Sequence, residues 1–133
     1  MPAYTIELLQ KALNKIKLPL KGTRVGVLGV SYKENVADLR ESPVIKIINL
    51  LNQNEAEPII FDPYIPQYSN VKSLEELLRK SDVIVLATYH QDFSVLTPQM
   101  LKKNRIKVLI DGTNKLDKAA FQESGLVYKG IGR

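Results

Sequence analysis

Apolar residues recur along the chain with two different spacings, and the changes of spacing mark out the elements. Residues 3–17 carry Ile6, Leu9, Leu13 and Ile16 at helical intervals, which predicts an amphipathic helix. Pro19 and Gly22 punctuate the chain before the next element. From Arg24 onward, short apolar runs alternate with helical patterns. Strands are predicted at 24–30, 58–61, 82–88 and 107–110, with an edge strand at 126–128. The run at 82–88 is almost continuously apolar, as a strand buried on both faces should be. Helices are predicted at 42–54, with Val44, Ile47, Ile48 and Leu51 inward, and at 73–80, where Ser73 and Glu76 form a capping box. Two more are expected, one opening at Thr97-Pro98 and one over 115–124.

Strands separated by helices imply right-handed βαβ units. The expected fold is therefore α/β, a Rossmann-like three-layer sandwich with a mostly parallel five-stranded sheet, preceded by one amphipathic helix. Placing the most apolar strand beside the first gives the order 2-1-3-4-5, with a switch point between strands one and three. The apolar stripe of the first helix stands outside this alternation. It serves another subunit or domain, or it packs on its own sheet; the pattern leaves both open.

Composition narrows the function more than the fold. The 133 residues suit one domain, with 44% hydrophobic and 25% charged residues. No apolar run approaches the ~20 residues that span a bilayer, and no signal-peptide pattern is read ahead of the first helix. No membrane association and a cytoplasmic setting are the expectations. The absence of cysteine excludes disulfides, thiolate metal sites and cysteine nucleophiles, and a single histidine argues against structural zinc. A net charge of +5 favours an anionic partner. The basic residues are scattered without an Arg-rich or aromatic-interleaved stripe, so no nucleic acid is expected.

Three loops should converge at the switch point: 31–42, 88–94 and 111–115. Ser42 as N-cap and Pro43 at the first helical position open a helix whose free N–H groups suit an anion, with Lys33 and Arg40 adding positive charge. Lys33 is either a phosphate contact or a solvated lysine. Tyr32 lies against a base or covers the sheet edge. For Arg40, an ion pair with Asp38 or Glu41 that shapes the loop ranks above ligand contact. His90 has no Ser or Cys nucleophile in a recognisable motif, which favours a hydrogen-bonding loop role. Asp111 either serves a ligand or caps its turn. Gly26 and Gly29 do not form the G-x-G-x-x-G turn of dinucleotide-binding folds, so Asp62 at the end of strand two is expected to cap a turn rather than hold a ribose.

Three segments in order carry a resemblance: Gly26-Val27-Leu28-Gly29-Val30-Ser31-Tyr32-Lys33, Asp38-Leu39-Arg40-Glu41-Ser42-Pro43 and Asp62-Pro63-Tyr64-Ile65-Pro66. Together they resemble the carboxy-terminal, nucleotide-sugar-binding domain of the UDP-glucose/GDP-mannose dehydrogenase family. Thr88-Tyr89-His90-Gln91-Asp92-Phe93 and Tyr128-Lys129-Gly130-Ile131-Gly132-Arg133 look more like the members that oxidise UDP-N-acetylhexosamines than those that oxidise UDP-glucose. The resemblance implies that residues 1–20 are the end of a central dimerisation helix and its linker, and that 21–133 bind UDP. It implies a UDP-sugar ligand, oxidation of a sugar C6 alcohol, and NAD as cofactor on a domain absent from this chain. Partners so implied are that amino-terminal NAD domain and a second copy in a homodimer. The resemblance also implies that Lys33 lies at the nucleotide sugar with Tyr32 beside it and that the Asp38 to Ser42 motif builds the loop around them; Arg40, His90, Asp111 and Asn114 complete the expected substrate-binding set. Where many relatives have a sugar-binding arginine after the Asp-Gly of strand four, this chain has Thr113 and then Asn114. Without an NAD fingerprint or a cysteine, the family's chemistry cannot run on this chain alone. The rival expectation is a stand-alone nucleotide-binding or interaction module; a small enzyme using His90 has little support.

Overall fold

A computed structural model describes residues 2–40 and 42–131. Met1, Glu41, Gly132 and Arg133, on which parts of the resemblance rest, lie outside the described residues, and so does any Arg40–Glu41 pair.

Helix α1 spans Pro2–Lys15. It stops two residues before the expected end because Lys17 turns to φ 58, with the Leu18 and Lys17 amides bonded back to the Leu13 and Asn14 carbonyls. Strand β1 follows at Arg24–Leu28, helix α2 at Pro43–Gln53 and β2 at Glu57–Phe61. Then come α3 (Leu74–Lys80), β3 (Val83–Leu86), α4 (Pro98–Lys103), β4 (Val108–Asp111), α5 (Lys118–Glu123) and β5 (Val127–Gly130). The sheet order is β2-β1-β3-β4-β5 with every pairing parallel, which agrees with the order expected from the sequence.

The period-two alternation of the central strands feeds two cores. Val25, Val27, Val83, Val85, Val108 and Ile110 face α1 and α2. Leu28, Ile84, Leu86 and Leu109 face the opposite layer, where Leu77, Leu101 and Phe121 come from α3, α4 and α5. Ile6, Leu9 and Leu13 of α1 are buried in the first core. Most of the stripe therefore packs on the chain's own sheet and α2, with Ile16 partly buried at its edge.

Of the elements that are shorter than the sequence suggests, β1 and α5 share one physical reason: a carboxylate captures amides that would otherwise continue the element. The first strand ends at Leu28 because Gly29 turns to φ +88 and the next two amides bond to Asp62. The last helix starts at Lys118, capped by Asp117, because Asp111 holds the Thr113, Asn114 and Leu116 amides in a turn. Gly29 has no substitute here, since a Cβ would lie 2.5 Å from the Thr88 carbonyl oxygen.

A loop platform at the β1/β3 switch point

Ser42 caps α2 as expected, accepting from the Val44 amide at 3.2 Å while its hydroxyl donates to the Val30 carbonyl at 2.6 Å. That second bond ties the helix start to the end of β1. Between them runs the 31–40 loop, closed at its base by the Tyr32 amide donating to the Asp38 carbonyl. Tyr32 is 51% exposed and Lys33 is also exposed. With Asp38 and Arg40 they line an open depression of about 630 Å³. Arg40 donates to both carboxylate oxygens of Asp38, at 3.2 and 3.3 Å, with a side chain 89% exposed. This is the loop-shaping pair ranked first from the sequence. The Arg40 bonds hold the Asp38 carboxyl below its ordinary range.

Beneath the loop lies a buried polar node. Asp62 Oδ2 accepts from the Val30 and Ser31 amides at 2.7 and 3.0 Å and meets His90 Nε2 at 2.8 Å. Its Oδ1 accepts from the Tyr64 amide at 2.8 Å, which is the turn-capping role expected of it. Burial works to raise the Asp62 pKa. The His90 bond and the three backbone N–H groups outweigh it and bring the group down to about 2. The Asn35 amide donates to His90 Nδ1 at 2.8 Å. A backbone N–H can only donate, so Nδ1 is the bare nitrogen and Nε2 carries the proton toward Asp62, with Ser31 Oγ at 3.2 Å.

His90 is 0% exposed, with both ring nitrogens engaged by protein and its ring against Tyr64 and Phe93. This corrects its inclusion among the substrate-facing residues: it supports the loop from below. Asp111 is corrected likewise. It is fully buried and accepts from Thr113, Asn114, Leu116 and the Tyr128 hydroxyl, so it caps the turn after β4. Asn114, at φ 57, turns its side-chain amide to the Ile131 carbonyl. The three loops do meet: Lys115 Nζ lies 3.4 Å from Glu34, and the Gln91 amide donates to Asn35 Oδ1 at 2.7 Å.

Sequence reasoning missed Asn35, Ser31 and the pairing of His90 with Asp62. The available signal was register. Leu28 of β1 pairs with Phe61 on one side and Leu86 on the other, so an acid just after β2 and a histidine just after β3 flank the same turn.

The acid at the end of β2 is 1% exposed and bonded to backbone and His90, so it is buried rather than presented to a ribose. Among the described residues, no helix is long and apolar enough to cross a membrane.

Comparison with known proteins agrees with this architecture. The UDP-N-acetyl-D-mannosamine dehydrogenase of Pyrococcus horikoshii is 33% identical over 134 residues, covering 100% of this chain and 31% of that enzyme. Its solved structure superimposes with a TM-score of 0.89 over 99% of the chain. The NDP-N-acetyl-D-galactosaminuronic acid dehydrogenase structure from Methanosarcina mazei gives 0.91 at 33% identity, with 99% of this chain and 29% of that one covered. The UDP-glucose 6-dehydrogenase of Rickettsia prowazekii is 32% identical over 126 residues, 85% of this chain and 29% of its own. The chain thus spans about a third or less of the enzymes it matches. The model of the UDP-glucose/GDP-mannose dehydrogenase family, UDP binding domain, matches residues 26–118, and the chain belongs to that family as its UDP-binding domain.

Proposed function

We propose that the surface formed by Tyr32, Lys33 and Arg40 at the β1/β3 switch point grips the UDP part of a nucleotide sugar. The observation that carries this reading is the exposed Lys33–Tyr32 pair, raised on a tethered loop beside the N-terminus of α2. An ammonium there offers charge-assisted hydrogen bonds to a diphosphate, and an exposed tyrosine ring offers a face to a base. The role in the reaction is positioning: fixing the nucleotide sets the sugar C6 against a cofactor and nucleophile held elsewhere. The whole enzyme would be an NAD-dependent 6-dehydrogenase of a UDP-N-acetylhexosamine, acting in the cytoplasm as a homodimer, with NAD on its amino-terminal domain. The names of the Pyrococcus horikoshii and Methanosarcina mazei relatives support the N-acetylhexosamine subclass over UDP-glucose.

Parallel NMR titrations with UDP, UDP-N-acetylglucosamine and NAD⁺ test this. The expected result is shifts at 31–40 with the two uridine ligands and none with NAD⁺. Lys33→Ala should weaken UDP binding about tenfold, the value of one charge-assisted bond. Unchanged affinity in that variant would remove Lys33 from the site.

A further inference from the structure

Residues 32–37 are exposed throughout, so packing holds the loop only at its ends, where Ser31 is buried and Leu39 meets the core, and not along the stretch that carries Tyr32 and Lys33. Its shape rests on polar tethers. Two act at its base, Tyr32 N–H to the Asp38 carbonyl and Ser31 Oγ to the Lys33 carbonyl at 2.8 Å. Glu34 meets Lys115 at 3.4 Å, with both side chains about half exposed, a pair worth little in water. The tip is held at Asn35, which sits in the left-handed region at φ 59. Its amide donates to His90 Nδ1, and its side-chain oxygen accepts from the Gln91 amide. Unlike the loop, the imidazole cannot move freely. It is fully buried, Nε2 is bound to Asp62, and Asp62 is itself bound to the backbone after β1 and β2.

We propose that His90 is a positioning residue: its Nδ1 anchors the tip of the 31–40 loop at Asn35 and so holds Lys33 and Tyr32 in register for a nucleoside diphosphate. The ring works as a strut between the end of the sheet and the tip of an otherwise solvated loop. The anchor itself stands on the hydrogen-bond geometry. Only its consequence for the ligand rests on the reading of Lys33 and Tyr32 as the UDP site.

Two substitutions separate the halves of the ring. His90→Asn keeps an acceptor oxygen near the place of Nδ1 and loses the Nε2 contact. His90→Gln keeps a donor near the place of Nε2 and loses the acceptor for Asn35. Both remove a buried ring, so a merely structural histidine would make them behave alike. The expected result is faster amide exchange at Asn35 and about tenfold weaker UDP binding in His90→Gln, with His90→Asn within about twofold of the parent in both. Exchange at Asn35 unchanged in His90→Gln, or equal loss in both variants, overturns the proposal. A parent chain that binds no UDP would remove the UDP-site reading, while the exchange comparison still decides the anchor. If neither variant folds, long-range ¹H–¹⁵N spectra of the parent decide it. A proton on Nε2 and a bare Nδ1 are expected, and the opposite tautomer overturns the anchor.

Discussion

Replacing Asp62 by Asn tests the buried node most directly, because the structure prescribes how the effect must change with acidity. Four donors converge on this carboxylate: the Val30, Ser31 and Tyr64 amides and the His90 ring N–H. An asparagine has one acceptor oxygen. Whichever way it lies, its NH₂ group faces at least one buried donor. One charge-assisted bond lost and one donor left unmatched predict a cost of about 2–4 kcal/mol near neutrality. Part of that cost is tied to the ionised carboxyl. Lowering its pKa from 3.8 to about 2 corresponds to roughly 2.5 kcal/mol at about 1.4 kcal/mol per decade.

The sign follows from the depressed folded value. The contribution is fully present above the unfolded pKa and disappears as pH falls through about 4 toward 2. By linkage, about half is gone near pH 3 and most near pH 2. Urea unfolding of the parent and Asp62→Asn, followed by circular dichroism near pH 6, 4 and 3, gives the difference between them at each pH. Other carboxylates titrate in both proteins and cancel. The gap should narrow by about 1 kcal/mol between pH 6 and pH 3. A gap that stays constant, or a variant as stable as the parent near neutrality, refutes the account of Asp62 as an ionised, fully bonded node.

Gly29→Ala should destabilise the fold by about 2–4 kcal/mol, measured by thermal or urea unfolding, since φ +88 and a Cβ 2.5 Å from the Thr88 carbonyl both oppose it. A loss under about 0.5 kcal/mol would mean that the turn after β1 relaxes freely. Tyr128→Phe removes the 2.9 Å bond to Asp111 and should lower stability by about 1–3 kcal/mol while leaving UDP affinity unchanged. A fall in UDP affinity in that variant would return Asp111 to the ligand surface. The Lys33→Ala titration and the His90→Asn/His90→Gln pair complete the set, reading the loop from its charged face and from its anchor.

The elements and their order were legible because burial imposes period. Val25, Val27, Val83 and Val85 supply one core and Leu28, Ile84 and Leu86 the other, and a chain that does so between helices has few topologies open to it. Caps were legible for a similarly local reason, since Ser42, Ser73 and Thr97 each bond to an amide within three residues. Tyr32, Lys33 and Arg40 could be assigned to the platform because loops after β1 lie at the switch point whatever their details.

What local pattern does not encode is which polar groups meet across long separations. Asp62 lies 28 residues from His90, and Asn35 lies 55 from it. Their pairing depends on strand register and on the paths of the loops that follow the strands, neither of which leaves a periodic mark in the sequence. The same holds for Asp111, a ligand candidate by position and a buried turn cap once Tyr128 closes over it from β5. The succession of apolar runs and helical patterns determined the sheet, its order and which loops meet at its switch point. Only the folded chain decided which of the polar residues there remain exposed and which are buried beneath the 31–40 loop, because desolvation obliges each buried polar group to find a partner from wherever in the sequence the sheet brings one.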